Sequence, residues 1–326
     1  VPRLPEYQMP PVPGTVASCS MPIIHSGIDE AGYGPILGPL SVAAVSVEVD
    51  EGVAVRAAFC RARLGVKDSK EIHDPADLAP LEAVALPGLA WLSGTMPRTA
   101  ADIFALLGED GAARTSPWMM GAEDLHLPVA AAPVKTWRLP GVRPRWVGGF
   151  LIHPFALNRG FANGVNRADV ELGHIGQLLQ RLPDEHARHT TVDRLGGRRY
   201  YGDFLQGLWP GEVLEVLGEQ PLRSAYRITW QQHRHEIAFC VDGERASVLT
   251  ALASCIAKYG RELHMHLFNQ HWCRARGGLR PTAGYARDAR RWLGEVGGEA
   301  VTSYRAALVR GQDDTLIVTS HNNARD

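Results

Sequence analysis

Hydrophobic and polar positions predict several strands along the chain. Residues 23–29 and 40–49 are rich in apolar and β-branched side chains, and the glycine- and proline-containing stretch 31–35 separates them. This pattern predicts an antiparallel pair of strands. The same criteria predict short strands further along, at residues 190–193, 223–230 and 237–241.

Two later segments carry helical periodicity instead. Residues 166–182 place apolar side chains at helical spacing and stop at Pro183. Residues 246–276 carry one apolar stripe and end at two glycines, 277 and 278. Strands followed by alternating strands and helices predict an α/β fold, with a mixed sheet flanked by helices and a helical C-terminal part.

Two other segments lack this patterning. Residues 1–21 are proline-rich without amphipathic period, so we expect a disordered lead, with Met21 as a candidate start of the chain. Residues 75–165 are rich in alanine, proline and glycine, and their periodicity is weak apart from short helical stretches such as 100–107. We therefore predict a large insertion there, within a domain that spans residues 22–326.

Composition restricts the class of protein. The 326 residues are 45% hydrophobic and 21% charged, which is ordinary globular composition. The formal net charge is −1, so binding to nucleic acid would depend on local basic patches. No apolar run approaches the roughly 20 residues of a membrane span. The five cysteines form no CxxC pair, which favours reduced thiols in the cytoplasm and argues against a zinc site.

Acidic residues stand at the ends of three predicted strands: Asp29 and Glu30, Asp193, and Asp242. Neighbouring residues of a regular strand face opposite sides, but the glycines at 32 and 34 should end the strand and free Glu30 to turn inward. Clustered carboxylates repel one another, and hard divalent cations such as Mg²⁺ or Mn²⁺ remove that penalty. Two such ions about 3.5–4 Å apart support phosphodiester cleavage.

Structural roles are the alternative for each acid. Most aspartates are surface residues or helix caps, and the position of Asp242 before a helix suits a cap. That alternative is poor for Asp29 and Glu30, because they lie within an apolar strand.

Several motifs occur in the order of one known family. Residues 27–35 read GIDEAGYGP, and the later blocks are Gly38-Pro39, Asp68-Ser69-Lys70, Val192-Asp193, Asp242 with residues 253–258 and Arg261-Glu262, and Gly284-Tyr285. Together these motifs resemble the type 2 ribonuclease H family, which comprises ribonucleases HII and HIII. The opening motif is highly specific, whereas the Gly-Tyr match is weak by itself.

The resemblance implies a ribonuclease-H-like catalytic domain whose Asp29, Glu30, Asp193 and Asp242 hold two Mg²⁺ or Mn²⁺ ions and catalyse hydrolysis. It also implies a set of substrate-binding residues, namely Gly32, Tyr33, Gly34, Ser69, Lys70, Lys258 and Tyr285. The backbone of the glycine turn would meet the ribose 2′-hydroxyl, and Tyr285 would stack on a sugar. An ordinary tight turn and a core-edge tyrosine are the structural alternatives.

This sequence also departs from the family pattern. Tyr33 stands where the family usually has a basic residue, and residues 75–165 exceed the corresponding region of the family. These departures bear on substrate preference more than on the type of reaction.

From the resemblance we expect an endonuclease that hydrolyses the RNA strand of RNA/DNA hybrids, or cuts at ribonucleotides embedded in duplex DNA. Its partner would be nucleic acid rather than a membrane, and we expect a monomer. The alternatives are a catalytically silent nucleic-acid-binding protein and a DNA junction nuclease on the same fold. Retention of four acids beside phosphate argues against the silent binder.

Overall fold

The computed structural model describes residues 23–108, 116–130, 134–184, 187–298 and 309–311. The proline-rich lead predicted at residues 1–21 lies outside the described residues. Among the helices described, none combines the length and the apolar character needed to cross a bilayer.

One mixed sheet of seven strands organises the described chain, in the order β3-β2-β1-β4-β7-β6-β5. The strands are β1 (Ile23–Ala31), β2 (Leu40–Val49), β3 (Val142–Ile152), β4 (Ala187–Asp193), β5 (Val213–Glu219), β6 (Arg223–Trp230) and β7 (His233–Cys240). Strands β1, β4 and β7 run parallel in the middle, and the remaining pairs are antiparallel.

Helices cover both faces of this sheet. They are α1 (Val55–Arg61), α2 (Ser69–Ile72), α3 (Ala79–Ser93), α4 (Ala100–Leu106), a 3₁₀ helix (Pro117–Gly121), α5 (Pro154–Ala162), α6 (Arg167–Arg181), α7 (Gly202–Leu208), α8 (Gly243–Ala246), α9 (Val248–Ala275) and α10 (Ala286–Val296). One apolar core includes α3, α9 and α10, and the other includes α6 and α7. The predicted α/β fold class, a mixed sheet flanked by helices, is confirmed.

The first strand pair determines where the candidate acids meet. β1 pairs antiparallel with β2 from Ile23 to Ala31, two residues beyond the predicted end of the strand. Its parallel pairing with β4 stops earlier, at Ile28 opposite Val192. Because β1 and β4 are parallel neighbours, their carboxyl ends lie at the same edge of the sheet.

Part of the predicted insertion belongs to the sheet. β3 lies within residues 75–165 and pairs antiparallel with β2 along its whole length. Pro144 and the adjacent glycines 148 and 149 interrupt the alternation that would have indicated a strand. The structure accommodates Pro144 because β3 is an edge strand and its register with β2 shifts between Ser46 and Val47.

The long helix α9 crosses β1 in close contact at Gly27. A Cβ added to Gly27 would lie 2.2 Å from the backbone carbon of Leu249 and 2.2 Å from the backbone nitrogen of Thr250. Ser247 caps this end of α9 by accepting hydrogen bonds from the backbone N–H groups of Leu249 and Thr250. Gly27 therefore lets the start of α9 pack directly on the strand that carries Asp29.

We expect Gly27→Ala to lower the free energy of unfolding by on the order of 3 kcal/mol, because two backbone segments must separate. Urea denaturation measures the effect. Gly218→Ala is the matched control, since a Cβ at this strand glycine meets no atom of the described residues within 4 Å. Equal denaturation midpoints for the two variants would contradict the close packing.

Candidate metal centre

Three carboxylates converge at the carboxyl ends of β1 and β4. Asp29, Glu30 and Asp193 each offer an oxygen, and these oxygens lie within 4.8 Å of one another. Asp29 is only 4% exposed, so this is a largely buried cluster of like charges.

The end of the parallel ladder explains how adjacent residues contribute to one site. β1 does not pair with β4 beyond Ile28, so the backbone N–H of Glu30 has no acceptor in β4. The Oδ1 atom of Asp29 accepts this N–H at 2.7 Å. The side chain of Asp29 therefore lies along the edge of β1, close to the carboxylate of Glu30.

A glycine fixes the third carboxylate. The Oδ1 atom of Asp193, at the end of β4, accepts the backbone N–H of Gly243 at 2.7 Å. A Cβ at Gly243 would lie 2.9 Å from the Cα of Asp193. Only a glycine allows α8 to begin this close to β4.

The fourth predicted acid does not join the cluster. Asp242 adopts a left-handed backbone with φ of 51° and forms no side-chain cap. Its side chain is 66% exposed and lies 3.9 Å from Arg245. This local backbone turns the carboxylate of Asp242 towards solvent, which corrects the geometry expected from the sequence.

Glu244, two residues further on, lies near the cluster instead. It is 6% exposed, and its charge is among those that raise the pKa of Asp29. Its Oε1 accepts a hydrogen bond from the hydroxyl of Ser254 at 2.9 Å. The hydroxyl of Ser69 is in turn 2.9 Å from that of Ser254. The structure thus places Ser69 behind Glu244 rather than at an open substrate surface.

Burial and mutual repulsion make the ionised cluster unfavourable. Burial, followed by the charges of Glu30, Asp193 and Glu244, raises the pKa of Asp29 well above its usual range. Burial is also the main cause that raises the pKa of Asp193 to about 6. Burial alone would lower the pKa of Lys70, but Glu244, Asp68, Asp29 and Asp193 raise it. Lys70 therefore lies in the negative field of the cluster.

The donor set fits a hard divalent cation. The Oδ2 atom of Asp29 is buried and accepts no hydrogen bond within the described chain. An unpaired buried carboxylate oxygen is costly unless a cation or a donor binds it. All the candidate ligands are carboxylate oxygens, which Mg²⁺ and Mn²⁺ prefer.

Three arginines hold the turn between β1 and β2. Arg310 Nη1 donates to the carbonyl of Gly32, Arg167 Nη1 to that of Tyr33, and Arg261 Nη1 to that of Pro39, each at 2.5 Å. The guanidinium of Arg167 also lies 5.3 Å from the centre of the Tyr33 ring. Gly32 has φ of +87°, and a Cβ there would meet Arg261 at 2.6 Å. Gly32 is therefore required by the turn itself.

Gly34 and Tyr285 form the open side of this turn. Gly34 is exposed, and among the described residues the one atom within 4 Å of a Cβ added there would be Tyr285 Cε1, at 3.9 Å. Tyr285 is 50% exposed and lines a cavity of about 630 Å³ that Lys258 also lines. Lys258 forms an ion pair with Glu262 at 2.8 Å. The structure thus brings Gly34 beside Tyr285, and Lys258 into the same cavity as Tyr285.

Sequence reasoning missed two buried acids near the centre. Nothing in the sequence distinguishes Glu244 from Asp242, because both closely follow the same strand. Glu171 did carry a signal: it stands four residues before Ile175, on the apolar stripe of α6 that continues through Leu178 and Leu182. A glutamate on the buried stripe of a helix indicates a special role.

A mixed sheet whose parallel central strands end in clustered carboxylates defines an α/β protein with an acidic centre suited to divalent cations. The segment that supplies Asp29 and Glu30 matches the family model of ribonuclease HII over residues 26–80. The resemblance to the type 2 ribonuclease H family is thereby confirmed over this segment. Asp193, Glu244 and Tyr285 lie outside the matched segment. No curated protein matches the chain.

Several solved structures are similar at low identity. Ribonuclease H2 from Pyrococcus horikoshii OT3 is 17% identical with a TM-score of 0.45, covering 91% of this chain and 97% of that chain. The ribonuclease HII in the PCNA:RNase HII complex from Archaeoglobus fulgidus is 18% identical with a TM-score of 0.44, covering 89% and 94%. Bst-RNase HIII in complex with Mn²⁺ is 18% identical with a TM-score of 0.46, covering 93% and 71%.

We expect the cation-free protein to lose stability as the pH rises through the titration of Asp193. Its pKa is about 6 in the folded protein against an ordinary value of 3.8, so the folded state retains a proton that the unfolded state has released. Stability therefore falls between these two values and stays lowered above pH 6.

Asp193→Asn cannot ionise, so it should not lose stability over this pH range, and its amide oxygen can still accept the hydrogen bond from the backbone N–H of Gly243. Melting temperatures measured in chelator should show the variant gaining on the wild type between pH 4 and pH 7. Asp124→Asn, at an exposed position, is the control. A difference in melting temperature between Asp193→Asn and wild type that does not change with pH would contradict the expected link between stability and the ionisation of Asp193.

Proposed function

We propose that the chain is a divalent-cation-dependent endonuclease that hydrolyses the RNA strand of RNA/DNA hybrids, or cuts at ribonucleotides embedded in duplex DNA. The observation that carries this proposal is the convergence of Asp29, Glu30 and Asp193 within 4.8 Å, beside a glycine turn that three arginines hold. The match of residues 26–80 to ribonuclease HII supports it.

In this proposal Asp29, Glu30, Asp193 and Glu244 hold the cations, and Glu244 takes the place that the sequence assigned to Asp242. Two Mg²⁺ or Mn²⁺ ions supply activation of water and stabilisation of the leaving oxygen in an in-line displacement. The protein contributes fixed carboxylates: Gly243 holds Asp193, and Ser254 holds Glu244. No side chain needs to act as a nucleophile.

The basic residues of the site bind and orient the phosphate backbone. Lys70 lies in the field of the carboxylates, where its ammonium group would bind and orient a phosphate of the substrate. Arg167 and Arg310 add positive charge behind the turn, although their Nη1 atoms are engaged by backbone carbonyls. Lys258 lines the cavity next to Tyr285, where a flanking nucleotide can bind.

Discrimination of RNA from DNA is assigned to Gly34 and Tyr285. The carbonyls of Gly32 and Tyr33 accept hydrogen bonds from arginines, which leaves the exposed backbone at Gly34 as the part of the turn open to substrate. The 2′-hydroxyl is both donor and acceptor, so close approach to a backbone amide distinguishes a ribonucleotide. The ring of Tyr285, half-exposed beside Gly34, can stack on the sugar.

Cleavage of matched duplexes tests this function. With Mg²⁺ or Mn²⁺, the wild type should cut an RNA/DNA hybrid or a duplex with one ribonucleotide, and should leave the DNA/DNA duplex intact. Glu244→Gln should lower the cleavage rate by 100-fold or more, since one ligand charge is lost, whereas Asp242→Asn should stay within a few-fold of wild type.

The same assay separates the alternatives. Binding without cleavage would indicate a silent nucleic-acid-binding protein, and cutting of branched DNA without ribonucleotides would indicate a junction nuclease. Loss of cleavage in Asp242→Asn together with normal Glu244→Gln would show that the cation ligands are misassigned.

Gly34→Ala tests recognition of the 2′-hydroxyl. Its added methyl group meets no atom of the described chain closer than 3.9 Å, so the fold should be unaffected. A methyl on the approach path should lower cleavage at a single ribonucleotide by at least 10-fold. Tyr33→Ala should lose less activity, because the backbone rather than the ring faces the sugar. Normal activity of Gly34→Ala, with an unchanged melting temperature, would remove this turn from substrate recognition.

A further inference from the structure

A second buried carboxylate lies close to the centre and has no assigned partner. Glu171, on α6, is 1% exposed. Both of its carboxylate oxygens are buried, and within the described chain neither accepts a hydrogen bond. The neighbouring stripe residues Ile175, Leu178 and Leu179 are apolar and fully packed, so an apolar residue at 171 would satisfy α6 equally well.

The packing of α6 places Glu171 near the turn and the acidic strand ends. Arg167, one helical turn before Glu171, donates to the carbonyl of Tyr33. The core that α6 shares with the sheet includes Ile28 and Val192, the residues directly before Asp29 and Asp193. Burial, followed by the negative charges of Glu30 and Asp193, raises the pKa of Glu171 well above its ordinary value, and Arg167 and Arg310 act in the opposite direction. The packing of α6 and this electrostatic coupling both place Glu171 on the side of the cluster formed by Glu30 and Asp193.

Both arginines near Glu171 also have buried nitrogens without a partner. Arg167 Nε and Arg310 Nη2 form no hydrogen bond within the described chain. If these side chains paired directly, their donors and acceptors would satisfy one another. Because they remain unpaired in one buried region, the region has room for further polar groups such as water molecules or ions. Within the described chain, the oxygens of Glu171 are thus without a hydrogen-bond donor in a region that also contains unpaired arginine nitrogens.

We propose that Glu171 is a further carboxylate of the cation site, adding acceptor oxygens and negative charge on the side formed by Glu30 and Asp193. This inference rests on the proposed function, since it requires the centre to bind a divalent cation. Mg²⁺ and Mn²⁺ keep part of their water shell in protein sites, and residues that accept hydrogen bonds from that shell raise cation affinity.

The competing explanation is that Glu171 serves only to balance Arg167 and Arg310 and so to hold the turn. The two explanations predict opposite effects of Glu171→Gln. A cation role predicts weaker cation binding, and a cation-free protein at least as stable as wild type, because a buried negative charge beside two carboxylates is removed. A purely structural role predicts unchanged cation affinity and a less stable cation-free protein.

Calorimetric titration with Mn²⁺ alone, together with melting temperatures in chelator, tests the proposal. Glu171→Gln should bind Mn²⁺ about 10-fold more weakly or worse. Asp169→Asn is the matched control, since it removes the same charge from a half-exposed position of the same helix, where Asp169 pairs with Arg198, and it should bind like wild type. Asp29→Asn tests the site itself and should lose binding.

Unchanged Mn²⁺ affinity in Glu171→Gln, with affinity lost in Asp29→Asn, would overturn the inference and leave the proposed function standing. Equal affinity of wild type and Asp29→Asn would instead overturn the cation site as a whole. If Glu171→Gln does not fold, Glu171→Met, which suits the apolar stripe, is measured in its place. Wild-type affinity in Glu171→Met would equally overturn the role of Glu171.

Discussion

Repulsion between carboxylates at the carboxyl ends of β1 and β4 is the constraint around which this structure is arranged. Each acid is buried beside another acid, so each is held against an unfavourable field by a specific contact. The carboxylate of Asp29 accepts a hydrogen bond from a backbone N–H of its own strand, and that of Asp193 accepts one from the backbone N–H of Gly243. The carboxylate of Glu244 accepts a hydrogen bond from the hydroxyl of Ser254. Such a cluster costs stability in the free protein and becomes favourable when cations bind.

The turn between β1 and β2 carries the opposite charge. Arg167, Arg261 and Arg310 come from distant parts of the chain and donate to its carbonyls. The guanidinium of Arg167 also lies over the ring of Tyr33. Positive charge is thus packed directly beside the turn.

The sequence predicted those parts of the structure whose patterns are local. Runs of apolar and β-branched side chains identified β1 and β2, and helical periodicity identified α6 and α9. The strand β3 was hidden because Pro144 and two glycines break its pattern, and pairing with β2 stabilises it only in the folded chain. The choice between Asp242 and Glu244 depends on one left-handed residue, which no spacing reveals. The charge contacts of Glu171 likewise depend on the packing of α6 against the sheet.

Anomalous scattering from crystals of the wild type soaked in Mn²⁺ tests the central claim most directly, because it locates the cation without reference to any substrate. We predict anomalous peaks between the carboxylates of Asp29, Glu30, Asp193 and Glu244, and none at Asp242. Absence of a peak between β1 and β4 at saturating Mn²⁺, or a peak centred on Asp242, would contradict the claim that these strand ends form a cation-binding catalytic centre.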